Sequence, residues 1–240
     1  MPLKKISIIT TTFNCKDKIE DTIISVLNQN SKIYEYIIMD SCSQDGTQDI
    51  LEKYKDNINI YVEKDSGIYD AMNKGIIKAK GQYLYFLGAG DKLEKNILKT
   101  IEKEITEINS PDLIYGKVFN IENNEEYGFE YEKYNFLNRN ICHQAIFYKK
   151  DIFNRIGVYN LDYKYLADYD LNMRIFSNKY NTNKYLNQVF AYYEGNGVSD
   201  NNVDTKFKKD KPKLIFKYYG IITFLIYSIM RKVFTNKYKK

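Results

Sequence analysis

The chain has 240 residues, 44% hydrophobic and 28% charged, a length and composition that predict one globular domain with a short appendage. Three cysteines, Cys15, Cys42 and Cys142, are too few and too scattered for a zinc site or a disulfide framework, which favours a reducing compartment. The N-terminus leads directly into a strand pattern, so we expect no signal peptide.

Charge is distributed unevenly along the chain. Residues 206–240 hold 11 of the 36 basic residues and one of the 31 acidic residues. The tail therefore carries a net charge of +10, and residues 1–205 carry −5. Only the tail is expected to attract an anionic partner.

In chain order, short apolar runs alternate with helical patterns. The first four strands are predicted at 6–10, 36–39, 58–62 and 83–87, and the helices between and after them at 19–27, 47–54, 68–79 and 94–108. This alternation implies right-handed crossovers and an α/β fold, with a mainly parallel sheet and helices on both faces. Later strands are predicted at 113–119, 145–148 and 184–192, and a helix at 165–178.

The tail, residues 205–240, contains an apolar run. Between Lys217 and Arg231 lie 13 uncharged residues, whereas a helix that crosses a bilayer needs about 20. Flanking lysines and aromatic residues favour a segment that lies in the interface of an anionic membrane. A basic helix packed on the body and a nucleic-acid patch are the alternatives. We predict membrane association and no nucleic-acid partner.

Three acidic residues, Asp40, Asp65 and Asp91, each follow a predicted strand. The carboxyl ends of parallel strands share one edge of a sheet, where open α/β folds bind ligands. The three acids are therefore expected to line one cleft, although a turn or cap role is the simpler interpretation of Asp40 alone.

The cleft lacks two common phosphate-binding motifs. The sequence after the first strand has no glycine-rich dinucleotide motif, and no P-loop motif occurs in the chain. A cleft of carboxylates repels a bare diphosphate but can bind it through Mg²⁺ or Mn²⁺. Asp91 is the candidate ligand, because the small residues at 88–90 let a metal diphosphate approach the backbone.

Four segments together resemble the family 2 glycosyltransferases, whose Rossmann-like fold is called GT-A. They are the opening strand and turn at 6–14, the Asp-Ser-Cys-Ser-Gln-Asp-Gly-Thr signature at 40–47, residues 63–75, and Ala-Asp-Tyr-Asp-Leu at 167–171. The resemblance covers about residues 4–200. Within the family, the chain resembles the O-antigen and capsular polysaccharide branch. The resemblance implies a GT-A domain over residues 1–204.

The resemblance also implies a role for each matching position. Nucleotide-sugar contacts are assigned to Thr11, Asp40, Asp65 and Asn73, the metal to Asp91 and the general base to Asp168. A position at the start of a helix would keep Asp168 ionised, and a helix N-cap is its alternative role. The single histidine, His143, either packs structurally or faces the acceptor or the diphosphate.

Some positions depart from the family pattern or are ambiguous. Gly90 and Ala89 stand where the family often has a second acid before the metal ligand, and Met72 replaces an arginine, for which Lys74 could compensate. Residues 194–199 resemble a Gly-Gly-Val-Ser loop, which suits a lid or a plain turn.

The expected function is inverting transfer of a hexose from UDP-glucose or UDP-galactose to an undecaprenyl-diphosphate-linked glycan. The resemblance implies that this occurs at the cytoplasmic face of the inner membrane, with Mn²⁺ or Mg²⁺. A nucleotidyltransferase is disfavoured, since no glycine-rich, basic loop follows the first strand. A catalytically silent, membrane-bound glycan-binding module is the other alternative.

Overall fold

The computed structural model describes residues 5–31, 33–105, 110–195 and 202–237, the last six by their backbone alone. Its strands are β1 (Ile6–Thr12), β2 (Tyr34–Asp40), β3 (Asn59–Val62), β4 (Tyr83–Phe86), β5 (Lys92–Leu93), β6 (Leu113–Asn120), β7 (Glu125–Tyr127), β8 (Ile146–Lys149) and β9 (Asn183–Tyr193). Its helices are α1 (Lys16–Leu27), α2 (Thr47–Lys53), α3 (Ile68–Lys78), α4 (Ile97–Glu104), α5 (Asp151–Ile156), α6 (Ala167–Ser177) and α7 (Thr205–Lys237). Short 3₁₀ turns occupy Lys133–Leu137 and His143–Ala145.

All nine strands of the described residues join one sheet, in the order β3-β2-β1-β4-β8-β6-β9-β5, with β7 paired to β6. The four N-terminal strands β1 to β4 pair in parallel, as predicted. The second half is mixed, because β8 runs antiparallel to β4 and β6 while β9 runs parallel to β6. The carboxyl ends of β1, β2 and β4 therefore meet at one edge.

Burial explains why the central strands are continuous apolar runs. Every residue of β4 is buried, and so are the first five residues of β1. A strand covered on both faces has no solvent side and needs no polar alternation. Helix α1 instead buries one stripe, formed by Ile19, Ile23 and Val26 at helical spacing.

Several elements differ from the sequence predictions. Helix α4 begins at Ile97 rather than residue 94, because β5 pairs with β9 and the Glu94 amide donates to the carbonyl of Phe190 (2.9 Å). Strand β7 is fully exposed and shows no apolar alternation, and α5 spans only six residues, so neither was predicted. The predicted helix end at 106–108 and the N-terminal residues 1–4 lie outside the described residues.

Helix α7 changes character at Gly220, whose backbone is not helical (φ 82°, ψ 177°). Before this break Phe207 and Ile215 are buried in the core. After it, five aliphatic side chains are 47–73% exposed: Ile221, Ile222, Leu225, Ile226 and Ile229. By length and composition alone, residues 205–231 could cross a membrane, and 11% of their apolar window is buried.

Gly81 has no room for a side chain. A Cβ atom there would lie 2.5 Å from the amide nitrogen of Ser7 and 2.7 Å from the carbonyl carbon of Ile6. Its own amide donates to Ser7 Oγ (2.8 Å), and that hydroxyl donates to Glu35 Oε1 (2.6 Å). We predict that Gly81→Ala lowers the free energy of unfolding by about 1–3 kcal/mol through overpacking, as measured by urea denaturation.

The neighbouring Lys80 provides the control. Its side chain is exposed and its contact to Glu35 comes from the backbone amide, which alanine retains. Lys80→Ala should change the free energy of unfolding by no more than about 0.5 kcal/mol. Equal urea midpoints for the two variants would contradict the steric argument.

Candidate active site

Asp40 ends β2 directly opposite Thr12, the last residue of β1. Its Oδ1 accepts from the hydroxyls of Thr12 (2.8 Å) and Ser43 (2.6 Å). Its Oδ2 accepts from the Ser43 amide (2.9 Å) and from Gln48 Nε2 (3.1 Å). These four hydrogen bonds show that buried Asp40 stabilises the loop that follows β2.

Thr11 is half-buried and points to the other face of the sheet from Thr12.

Asp45, in the same signature, joins the starts of two helices. Its Oδ1 accepts from the hydroxyl (2.6 Å) and amide (3.0 Å) of Thr47, the first residue of α2. Its Oδ2 accepts from the amide of Lys16, the first residue of α1 (3.0 Å). The Thr47 hydroxyl and the Lys16 amide hold the pKa of Asp45 near 2. The carboxylate thereby links the loops that follow β1 and β2.

Asp65 and Asn73 also have contacts within the protein. Asp65 is half-buried, and its Oδ1 accepts from the Gly67 amide just before α3 (2.9 Å). Asn73, on α3, donates to the carbonyl of Tyr159 (3.0 Å) and accepts from the Tyr159 amide (3.0 Å). Asn73 therefore fastens α3 to the segment that follows α5.

The departures from the family pattern on α3 have a structural explanation. Met72, at the position of the family's arginine, is buried in the core. Lys74 lies 3.5 Å from Asp70 Oδ2 and donates to the carbonyl of Lys64. In this structure the ammonium group of Lys74 is therefore engaged by Asp70 of α3 and by the carbonyl of Lys64, which precedes α3.

Asp91 follows β4 and is 9% exposed. Its Oδ2 accepts from Gln144 Nε2 (2.7 Å). A Cβ atom at Gly88 would lie 2.4 Å from that same oxygen, so a side chain at this position would displace the Asp91 carboxylate. Gly90 adopts a left-handed φ of 105°. Burial raises the pKa of Asp91 to about 6, which leaves the carboxylate mostly ionised at pH 7.

The donor atoms around Asp91 bear on metal binding. In the described part of the chain, no group of three or more His, Cys, Asp or Glu side chains is arranged to hold a metal ion. Asp91 supplies one carboxylate, and a bound diphosphate would supply further oxygens. A set of hard oxygen ligands fits Mg²⁺ or Mn²⁺.

His143 lies in the turn that also carries Gln144. The residue is half-buried, but its Nε2 is enclosed and has no hydrogen-bond partner among the described residues. Burial lowers the pKa of His143 to about 4. The imidazole is therefore neutral at pH 7 and can offer a ligand a single hydrogen bond at Nε2.

Asp168 lies in the first turn of α6 and is 7% exposed. Its Oδ1 accepts from the hydroxyl of Tyr69 (2.9 Å), and its Oδ2 accepts from Asn140 Nδ2 (2.8 Å). Burial raises the pKa of Asp168 to about 6, and the two hydrogen bonds oppose that rise. The helix begins at Ala167 with Leu166 at the N-cap position, so Asp168 is not the N-cap.

Asp170, two residues further along α6, has structural contacts. Its Oδ2 lies 3.0 Å from Arg174 Nε, and its Oδ1 accepts from the hydroxyl of Tyr218 on α7 (3.1 Å). Arg174 also donates to the carbonyls of Ile156 and Val158 (both 2.8 Å). Asp170 therefore holds the segment after α5 and the first half of α7 against α6.

The structure describes residues 194 and 195, the start of the loop that resembles Gly-Gly-Val-Ser. Glu194, after β9, pairs with Lys18 of α1 at 2.6 Å. Residues 196–199, for which the sequence suggested a lid or a turn, lie outside the described residues.

Sequence analysis missed several residues that contact the carboxylates. They include Thr12 and Gln48 at Asp40, Gln144 at Asp91, and Tyr69 and Asn140 at Asp168. Thr12, Tyr69 and Gln144 lie inside or beside segments already singled out, so their position was a usable signal. Asn140 has no such signal, because only the tertiary fold brings it to α6.

Comparison with known proteins agrees with this geometry. Residues 7–161 match the glycosyl transferase family 2 profile. The chain is 39% identical over 213 residues to a PGL/p-HBAD biosynthesis glycosyltransferase of Mycobacterium tuberculosis, covering 86% of this chain and 83% of the relative. It is 36% identical over 162 residues to the poly(ribitol-phosphate) beta-N-acetylglucosaminyltransferase TarP of Staphylococcus aureus, covering 61% and 46%.

Solved structures share the fold. S. aureus TarS 1-349 in complex with UDP-GlcNAc superposes with a TM-score of 0.72 at 19% identity, covering 88% of this chain and 65% of that one. The mannosyltransferase PcManGT from Pyrobaculum calidifontis, in complex with GDP-Man and Mn²⁺, gives 0.64 at 13% identity, covering 90% and 63%. The chain thus spans less than two thirds of either solved chain. The predicted GT-A fold is confirmed, and the chain belongs to glycosyl transferase family 2.

Proposed function

We propose that the protein transfers a hexose, with inversion, from a nucleoside-diphosphate sugar to a lipid-linked glycan during surface polysaccharide assembly. The observation that carries the proposal is the pair of buried carboxylates, Asp91 after β4 and Asp168 on α6, whose pKa values burial raises to about 6. A family 2 chain with two such groups has the means for both halves of a displacement.

The reaction needs a base and a stabilised leaving group. Asp168 serves as the base: it is ionised at neutral pH, and its pKa of about 6 lies near the working pH, where a base is most effective. A divalent ion held by Asp91 would act as a Lewis acid on the departing diphosphate. His143, neutral at pH 7, contributes at most one hydrogen bond to the phosphates or acceptor.

For the donor we propose a UDP-hexose. The UDP-GlcNAc bound by TarS and the beta-N-acetylglucosaminyltransferase name of TarP support a UDP sugar. The family resemblance is the basis for proposing glucose or galactose as the sugar. It is also the basis for proposing an undecaprenyl-diphosphate acceptor in O-antigen or lipopolysaccharide synthesis. In this proposal Thr11, Asp40, Asp65 and Asn73 form or support the nucleotide-sugar site. Membership of family 2 speaks against a nucleotidyltransferase or a silent binding module.

We propose further that α7 attaches the protein peripherally to the anionic cytoplasmic face of the inner membrane. The five exposed aliphatic side chains after Gly220 recur at helical spacing along one face. Lys213, Lys217 and Arg231 flank that stretch. The first half of α7 is fixed to α6 by the hydroxyls of Tyr218 and Tyr219. The uncharged run at residues 218–230 is 13 residues long, fewer than the roughly 20 of a typical span, which favours a helix lying in the interface.

Replacing the base should remove turnover without removing donor binding. Asp168→Asn should lower kcat about 10²–10⁴-fold, equivalent to roughly 3–5 kcal/mol of barrier, because the base acts only on the acceptor's proton. The measurement is release of nucleoside diphosphate from a panel of UDP-hexoses with lipid-linked acceptor, alongside donor affinity.

Asp170→Asn is the matched control, since Asp170 is a buried carboxylate on the same helix, paired with Arg174. It should lower the melting temperature while preserving kcat per folded molecule. Near wild-type turnover in Asp168→Asn would mean that the base lies elsewhere.

Metal dependence should map to Asp91. EDTA should abolish transfer, Mn²⁺ or Mg²⁺ should restore it, and Asp91→Asn should weaken Mn²⁺ binding in the presence of UDP, followed by electron paramagnetic resonance. Asp21→Asn is the control, because Asp21 is exposed and pairs with Lys92 (2.7 Å). Full activity of Asp91→Asn in chelator would contradict this assignment.

The exposed face of α7 should determine membrane binding. Full-length protein should float with phosphatidylglycerol vesicles, and binding should weaken as salt rises. Ile222→Glu combined with Ile226→Glu should abolish flotation, whereas Ile77→Glu, at an isolated exposed position on α3, should not. Flotation of the double variant equal to wild type, or resistance to alkaline extraction, would exclude this peripheral mode.

A further inference from the structure

Both polar atoms of the Asn140 side-chain amide form hydrogen bonds within the protein. Its Nδ2 donates to Asp168 Oδ2 (2.8 Å), and its Oδ1 accepts from Asn172 Nδ2 (2.9 Å). Its backbone carbonyl accepts from the hydroxyl of Tyr131 (2.7 Å). The residue therefore has a fixed backbone and a fixed side-chain direction.

Asn172 determines which way Asn140 points. It lies four residues after Asp168 on α6, on the same helix face, and is fully buried. Its Oδ1 accepts from the hydroxyl of Tyr148 (3.2 Å), which leaves Nδ2 to face Asn140. A reversed amide at Asn140 would bring two NH₂ groups together and present an oxygen to the carboxylate of Asp168.

The other ionisable groups around Asp168 are tyrosines that stay neutral, one ion pair and Lys211, whose pKa burial lowers to about 8. Four tyrosines face it from the packed elements: Tyr69 on α3, Tyr148 on β8, Tyr159 after α5 and Tyr169 on α6. Burial raises the pKa of all four above the usual 10, so they remain protonated in the working range. Asp170 is paired with Arg174, and Lys211 donates to the Tyr169 hydroxyl (2.9 Å).

We propose that Asn140 is a positioning residue for the base, holding Asp168 ionised and in a fixed orientation, and that Asn172 locks Asn140 in the donating direction. This inference rests on the proposed role of Asp168 as the general base. A hydrogen bond donated to the ionised carboxylate favours that form. Removing the donor should therefore let Asp168 hold its proton to a higher pH.

The test is the pH profile of kcat/KM. The profile is measured at saturating Mn²⁺, which would keep Asp91 ionised. Wild type should then lose activity as the pH falls through about 6, where Asp168 becomes protonated. In Asn140→Ala this acidic limb should move up by about one pH unit, with little change in donor KM. Asn140→Gln, which keeps an amide but displaces it, should move the limb in the same direction and serves if the alanine variant does not fold. Asn138→Ala, an exposed residue of the same segment, should leave it unchanged.

A purely structural role for Asn140 predicts something different. The melting temperature would fall while the acidic limb stayed in place, and this result would overturn the inference. Asp168→Asn separates that failure from a failure of the proposed function. If Asp168→Asn stops transfer and Asn140→Ala leaves the limb unmoved, only the positioning role is wrong. If Asp168→Asn transfers normally, both are wrong.

Discussion

The fold removes the carboxylate of Asp168 from water and surrounds it with neutral donors. A cation at this position would lower the pKa of the carboxyl and weaken it as a base, whereas burial without a donor would raise that pKa beyond neutral pH. Hydrogen bonds from Tyr69 and Asn140 give the intermediate result, a pKa of about 6. Because these donors come from α3 and from the segment before β8, the pKa of Asp168, the proposed base, depends on how both pack against α6.

The acids at the strand ends show that environment, not position, decides their roles. Asp40 accepts four hydrogen bonds and Asp45 three, so both are occupied in holding the loops after β1 and β2. Among the described residues, the side-chain hydrogen bond to Asp91 comes from Gln144, and burial raises the pKa of Asp91. Of these three acids, Asp91 is the one whose electrostatics favour a cation, since a positive charge would relieve the cost of burying it.

The sequence predicted what depends on local pattern. Strands β1 to β4 are short apolar runs separated by segments with helical periodicity, and this alternation predicts a parallel sheet. Strand β5, with only two residues, is stabilised by pairing with β9, and local pattern cannot reveal that. At the site, the order of the strands singled out Asp91, and the family resemblance singled out Asp168. Asn140 could not be found this way, because its partners Asp168 and Asn172 lie about 30 residues further along the chain.

One carboxylate, that of Asp204, contacts the starts of both α6 and α7, and this links Asp168 to the helix that carries the exposed apolar face. Asp204 is buried; its Oδ1 accepts from the Phe207 amide in α7 (2.9 Å), and its Oδ2 accepts from the Tyr165 amide just before α6 (2.9 Å). Tyr218 adds a second tie, to Asp170. These contacts tie the helix that carries Asp168 to the first half of α7, up to Gly220. In the proposed interfacial attachment, these contacts would hold Asp168 at a fixed height above the membrane, where the proposed lipid-linked acceptor would present its hydroxyl.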